Sequence, residues 1–350
     1  MIDWILAERI ATLVAGTGAG HAPQTDELPS IASEAEARVV AYTGLQPTRP
    51  LPKPEGISRH EWARSNINSM RLLLEPALSR AGKNMGPARP AVQIGAGLAL
   101  SAEVGVIVGY LAQRVLGQYE VVLLDEAVPD RPPRLLFVLP NLAQVVQAFD
   151  ADEREFITWV TLHEVTHAVQ FAGVPWLHKH VAGLMRELLD RAELRLGAPR
   201  KLRIPTPEQL AQLFGALRKG DLITLVTTED ERDTLDRVQA VMAVIEGHAE
   251  HVMDAVAPDL VPSLGRLRSG LDRRRRTQSG LSRLVGRLLG LELKLRQYEE
   301  GKSFCDAVVQ EAGVAALHNV FSSPEALPTL EELGDPKRWL ARTAAPVQGS

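Results

Sequence analysis

The chain of 350 residues is 45% hydrophobic and 23% charged, with a formal net charge of -4, enough apolar content to bury a core in one large domain or two modest ones. That slight acidity argues against general attraction to nucleic acid or anionic lipid, and the single cysteine, Cys305, excludes an internal disulfide and any multi-cysteine metal site. A reducing cytoplasm is the expected setting.

Residues Ile2 to Val14 read as an amphipathic helix; Asp3 and Glu8 stand where a signal peptide would carry a basic leader and an apolar run, so no export is expected. Gly16, Gly18 and Gly20 lack the strand-to-helix setting of a phosphate loop. A second helix over Ser30 to Thr43 is followed by a stiff connector marked by Pro47, Pro50, Pro52 and Pro54. The chain thus divides into an N-terminal helical segment with its connector, 1–54, and a main domain, 55–350, packed together as one unit. Ser58 and Glu61 restart a helix with a capping box. The apolar stretch from Ile94 to Leu116 has the length of a membrane span, but Glu103 at its middle, with Gln113 and Arg114 nearby, points to a buried helix. Its Gly95, Gly97, Gly105 and Gly109 would permit close packing, and no membrane insertion is expected.

Tyr119 to Leu124 and Arg134 to Leu139 are short β-like runs separated by Pro129, Pro132 and Pro133, suited to a small sheet. Asn141 is placed to cap a short helix. The next helix starts at Asp150 or Asp152 and is stopped by Gly173 and Pro175. Further helices are expected from His178 to Leu196, from Thr206-Pro207 to Arg218, and from Thr228 to Pro258. The pattern predicts an α+β fold, predominantly α-helical, with a small β-sheet beside the helix that starts near Asp152.

That helix carries His163-Glu164-Val165-Thr166-His167, the spacing H-E-x-x-H. Residues four apart share a helix face, so His163 and His167 can point their imidazoles at one zinc ion while Glu164 stands beside them as a base. Phe156, Val160, His163 and His167 form one largely apolar stripe. The bland alternative is a pair of core histidines satisfied by hydrogen bonds.

A catalytic zinc site takes a third protein ligand and leaves a position for water. The extended motif that would supply a third histidine fails here, since Gln170 and Gly173 stand where glycine and histidine would be needed. His178 and His180 lie beyond Pro175 and would need a tight fold-back. The better source is Glu246-Gly247-His248-Ala249-Glu250-His251. Glu246 is the expected ligand and Glu250, one turn away, the expected partner of a zinc-bound histidine, with His251 expected to support the ligands from behind and to be the runner-up ligand. Gly247 would leave space beside the metal, and His248 faces roughly away from Glu246.

The chain resembles the zincin-like metallopeptidases, and within them a largely bacterial group. The resemblance rests on Val115-Leu116-Gly117-Gln118-Tyr119, Leu139-Pro140-Asn141, Leu162 to His167, Val174-Pro175-Trp176-Leu177 and Glu246 to Asp254. It extends to Gly290 to Tyr298 and Gly301-Lys302-Ser303-Phe304. It implies a mainly helical α+β fold, a zinc site between two helices, a glutamate (gluzincin-like) third ligand matching Glu246, and Tyr298 as a second electrophile. Some members are associated with biosynthesis of a deazaflavin coenzyme, an association that no residue named here explains. Glu246 lies further past His167 than is usual for such a ligand, so the intervening helices form an insertion.

The function expected is zinc-dependent hydrolysis of an amide, with a peptide bond as substrate and Glu164 activating a zinc-bound water. A catalytically inactive zinc scaffold and a zinc amidohydrolase acting on a small molecule are the alternatives. Arg273 to Arg276, with Arg266, Arg268, Arg283 and Arg287 around them, lack aromatic neighbours, and no nucleic-acid partner is expected.

Overall fold

In the computed structural model of the chain, residues 2–18, 25–84, 90–120, 132–197, 229–263, 265 and 291–344 are described. The stretch Val121 to Leu124, the helix expected from Thr206 and the arginine-rich run lie outside them. Helix α1 spans Trp4–Ala15 and α2 Leu28–Thr43; β1 covers Pro54–Ile57 and α3 Arg59–Asn84; α4 spans Pro90–Ala112. Strands β2 (Gly117–Glu120) and β3 (Arg134–Val138) follow, then α5 (Leu139–Phe149), α6 (Glu153–Gly173) and α7 (Leu177–Gly197). The chain continues with α8 (Glu229–Val256), α9 (Leu291–Ala312), the short α10 (Val314–His318) and α11 (Leu330–Gly334), and α12 (Pro336–Ala344).

The fold is α+β, mostly helical, with a three-stranded sheet in the order β1-β3-β2. β2 and β3 pair antiparallel, Tyr119 opposite Leu135, as their alternation suggests; β1 adds in parallel, Ile57 opposite Val138. Side chains alternate across the central strand. Leu135 and Phe137 enter a core with α2 and α6, while Leu136 and Val138 enter a second with α1, α3 and α4. A third core joins α7, α8 and α9 to the C-terminal helices.

The Ser58–Glu61 capping box is present, with each residue's backbone N–H bonded to the other's side chain. Asn141, in contrast, is not a cap. α5 leaves β3 directly at Leu139, with Pro140 in its first turn. This puts Asn141 inside the helix, where its amide donates to the carbonyls of Ala112 and Val115 and satisfies the end of α4. α4 is half-buried and not enclosed: Leu98 and Val106 are 46% and 49% exposed, and Glu103 also faces outward. Gly105 and Gly109 do serve close packing, because a Cβ on either would meet the α1 backbone at Ala7 or Ala11, 2.6 Å away. Among the described residues, no helix is long and apolar enough to cross a membrane.

α6 is buried on nearly every side and does not expose the polar face that a single apolar stripe implies. α2 covers one flank, α8 and the sheet the others. Asp152 caps its start through a bond from the Glu155 amide, and Thr48 closes its end by donating its amide and hydroxyl to the Ala172 carbonyl.

Candidate metal centre

His163 and His167 leave α6 one turn apart, with their rings at 87° and their Nε2 atoms 3.2 Å from each other. Glu246 reaches in from α8 and places one carboxylate oxygen 3.4 Å from His167 Nε2 and 3.7 Å from His163 Nε2. The three residues form the one histidine, cysteine and carboxylate group among the described residues whose donor atoms all lie within 4.8 Å. Tetrahedral zinc with ligands at about 2.05 Å would set its ligand atoms roughly 3.3 Å apart. Two imidazoles and a carboxylate at these separations fit such an ion in both spacing and ligand type.

The cluster sets like and unlike charges close together. Burial and the neighbouring His167 push His163 down to about 4. Burial also works against charge on His167, but the Glu246 carboxylate outweighs it and raises this histidine to about 9. One positive charge is thus favoured among three converging donors, and a divalent cation satisfies all three at once.

Glu164, next to His163 on α6, rests against the sheet. Its carboxylate accepts the Tyr119 amide of β2 at 2.9 Å and packs on Gly117, where a Cβ would lie 2.6 Å from Glu164 Cγ. Burial raises its pKa to about 7; His167 and the Tyr119 amide pull it down, and Glu246 adds to the rise. A carboxyl poised near neutrality can both take and return a proton. The His163 side chain keeps 28% exposure against 11% for His167, so solvent reaches the cluster from the His163 side.

The outer nitrogens of the histidines meet residues that sequence reasoning did not select. His167 Nδ1 is 3.0 Å from Gln170 Oε1, and His163 Nδ1 is 3.2 Å from Met253 Sδ. Glu250 lies half-buried one turn beyond Glu246. His251 is engaged elsewhere, with Nε2 2.8 Å from the Tyr42 hydroxyl and Nδ1 2.6 Å from Asp306. His180 packs edge-on against Trp176 at the start of α7, and neither it nor His178 joins the trio.

Gly247 does not make room for a metal: a Cβ there would run into the α9 backbone at Gly301 and Lys302, so this glycine permits a close helix crossing. Tyr298 lies on α9, with its side chain outside the described residues. The i, i+3 spacing of His167 and Gln170 was a usable signal for that contact. Tyr119 acts through a backbone amide, and no residue type announces that.

Residues 2–340 match the family described as zincin-like metallopeptidase. The chain is similar in structure to a protein from Chloroflexus aurantiacus, whose crystal structure is described as that of a candidate hydrolase with a novel fold. The two share 30% identity and a TM-score of 0.69 over 99% of this chain and 100% of that one. No curated protein matches the sequence.

Proposed function

The chain belongs to the zincin-like metallopeptidase family, and from that premise we propose that it is a zinc-dependent hydrolase cleaving an amide bond, with a peptide as substrate. The observation that supports this reading is the convergence of His163, His167 and Glu246 beside a buried glutamate held by a strand amide. A structural zinc site needs ligands and has no need of a base; Glu164 weighs against the scaffold.

His163, His167 and Glu246 would hold the zinc, which when bound supplies Lewis acidity to a water and to the amide carbonyl. Glu164 takes the proton of the attacking water and delivers it to the departing amine. The Tyr119 amide keeps one Glu164 oxygen fixed while the other exchanges the proton. The open side at His163 is where substrate approaches.

The test is metal content and peptide-library cleavage for the wild type, E164Q and E246A. E164Q should keep one zinc per chain and lose about 100-fold or more of turnover; E246A should lose zinc affinity together with cleavage. Unchanged turnover in E164Q would remove Glu164 from the mechanism. Bound zinc with no peptide cleaved by the wild type would shift the reading to a small amide substrate or to the scaffold.

A further inference from the structure

Gln170 is wholly buried on α6, one turn beyond His167. Its amide nitrogen lies 2.9 Å from the carbonyl oxygen of Ile245 and 2.9 Å from His248 Nδ1, both on α8, while its Oε1 lies 3.0 Å from His167 Nδ1. A backbone carbonyl can only accept, so the Ile245 contact fixes which end of the amide is nitrogen; the reversed amide would face two oxygens at each other in the core. His248 Nδ1 then accepts the second amide hydrogen. Oε1 has only lone pairs, so His167 Nδ1 must carry a proton and donate.

We infer that Gln170 is a positioning residue that fixes His167 as a donor at Nδ1 and aims its Nε2 at the space shared with His163 and Glu246. The same side chain grips the α8 backbone at Ile245, directly before Glu246. One amide thus sets the tautomer of one donor and the height of the helix that carries another. His163 is held in the same sense by Met253, whose sulfur is a weak acceptor for its Nδ1. The consequence for zinc affinity rests on the proposed metal site; the protonation of His167 does not.

The experiment is long-range proton–nitrogen correlation spectroscopy on protein labelled with ¹⁵N-histidine, with and without zinc, His167 being assigned through H167Q. Zinc affinity of wild type and Q170L is read in parallel by competition with a chromophoric chelator. The wild type should show a protected His167 Nδ1 proton in both states. Q170L should lose that protection and bind zinc about 10- to 100-fold more weakly. A wild-type His167 lacking a proton on Nδ1, or a folded Q170L with undiminished zinc affinity, overturns the inference. Should Q170L not fold, Q170M, which keeps the side-chain length and removes the amide, is read in its place. Should the wild type bind no zinc, the hydrolase reading fails, while spectra of the metal-free wild type and Q170L taken above about pH 9, where His167 is neutral, still decide whether Gln170 holds its proton on Nδ1.

Discussion

A methyl group on residue 117 would land 2.6 Å from Glu164 Cγ and 2.9 Å from its Oε1, so G117A must push the carboxylate away from the Tyr119 amide or shift β2 with it. Glu164 is not among the three metal-site donors, and the displacement is of the order of an ångström. G117A should therefore keep the zinc affinity of the wild type and lose about 100-fold in turnover. Equal kcat in the two proteins would show that the strand does not set the base. At this scale the sequence discloses what spacing encodes. The two histidines and Glu164 follow from one helical turn, and Glu246 from a carboxylate at helical register in a second helix. Gly117 and the Tyr119 amide were hidden because their roles exist only after β2 and α6 come together, and the spacing of Gln170 from His167 signalled only its contact with that ring, not its grip on α8.

Where α8 crosses α9, Gly247 and Gly301 allow backbone to touch backbone; a Cβ on Gly301 would collide with Ala243. G301A should destabilise the protein by about 1–3 kcal/mol in denaturant unfolding, and because Glu246 adjoins Gly247 it should weaken zinc binding as well. G183A is the control, since a Cβ on Gly183 of α7 meets open space and should leave both quantities near wild type. The C-terminal helices offer a pH test. The Thr329 and Glu332 side chains form a capping box at α11, and Arg342 of α12 donates to both Glu332 oxygens at 2.7 and 2.9 Å. Burial opposes ionisation of Glu332, but the bonds from Arg342 and the Thr329 amide prevail and hold its carboxyl below the usual range. Its stabilisation is therefore complete above the unfolded carboxylate pKa of about 4.3 and is lost as pH falls through the lower folded value. The difference in unfolding free energy between wild type and E332Q should be constant near neutrality and shrink below about pH 4; a gap independent of pH would contradict the assignment. Helices were legible here because their caps and periodicity are local. β1 was not: Pro54-Glu55-Gly56-Ile57 has no alternation of its own, and its strand character comes from its parallel partner.

The trio is assembled where two cores meet. α8 lends Val241, Val244 and Ile245 to the core it shares with α7 and α9, and Val252, Met253 and Val256 to the core built on α6 and the sheet. Glu246 stands at the change-over. The N-terminal segment shares this arrangement, since α2 packs its Ile31, Ala35 and Val39 into the α6 core. The parallel join of β1 to β3 also imposes an order of events. It closes a loop that contains all of α3 and α4, and the entropy of that closure is lost before any strand contact repays it, whereas helices form from neighbours. The strand that presents the Tyr119 amide pairs with β3 across a shorter connection, and it meets Glu164 only when the sheet docks on α6. On refolding from denaturant, the far-ultraviolet helical signal should therefore return before hydrolytic activity, and simultaneous recovery of the two would refute that order. The residue on which the chemistry turns would thus receive its final setting last, leaving a helical but idle intermediate for quality-control proteases to sample.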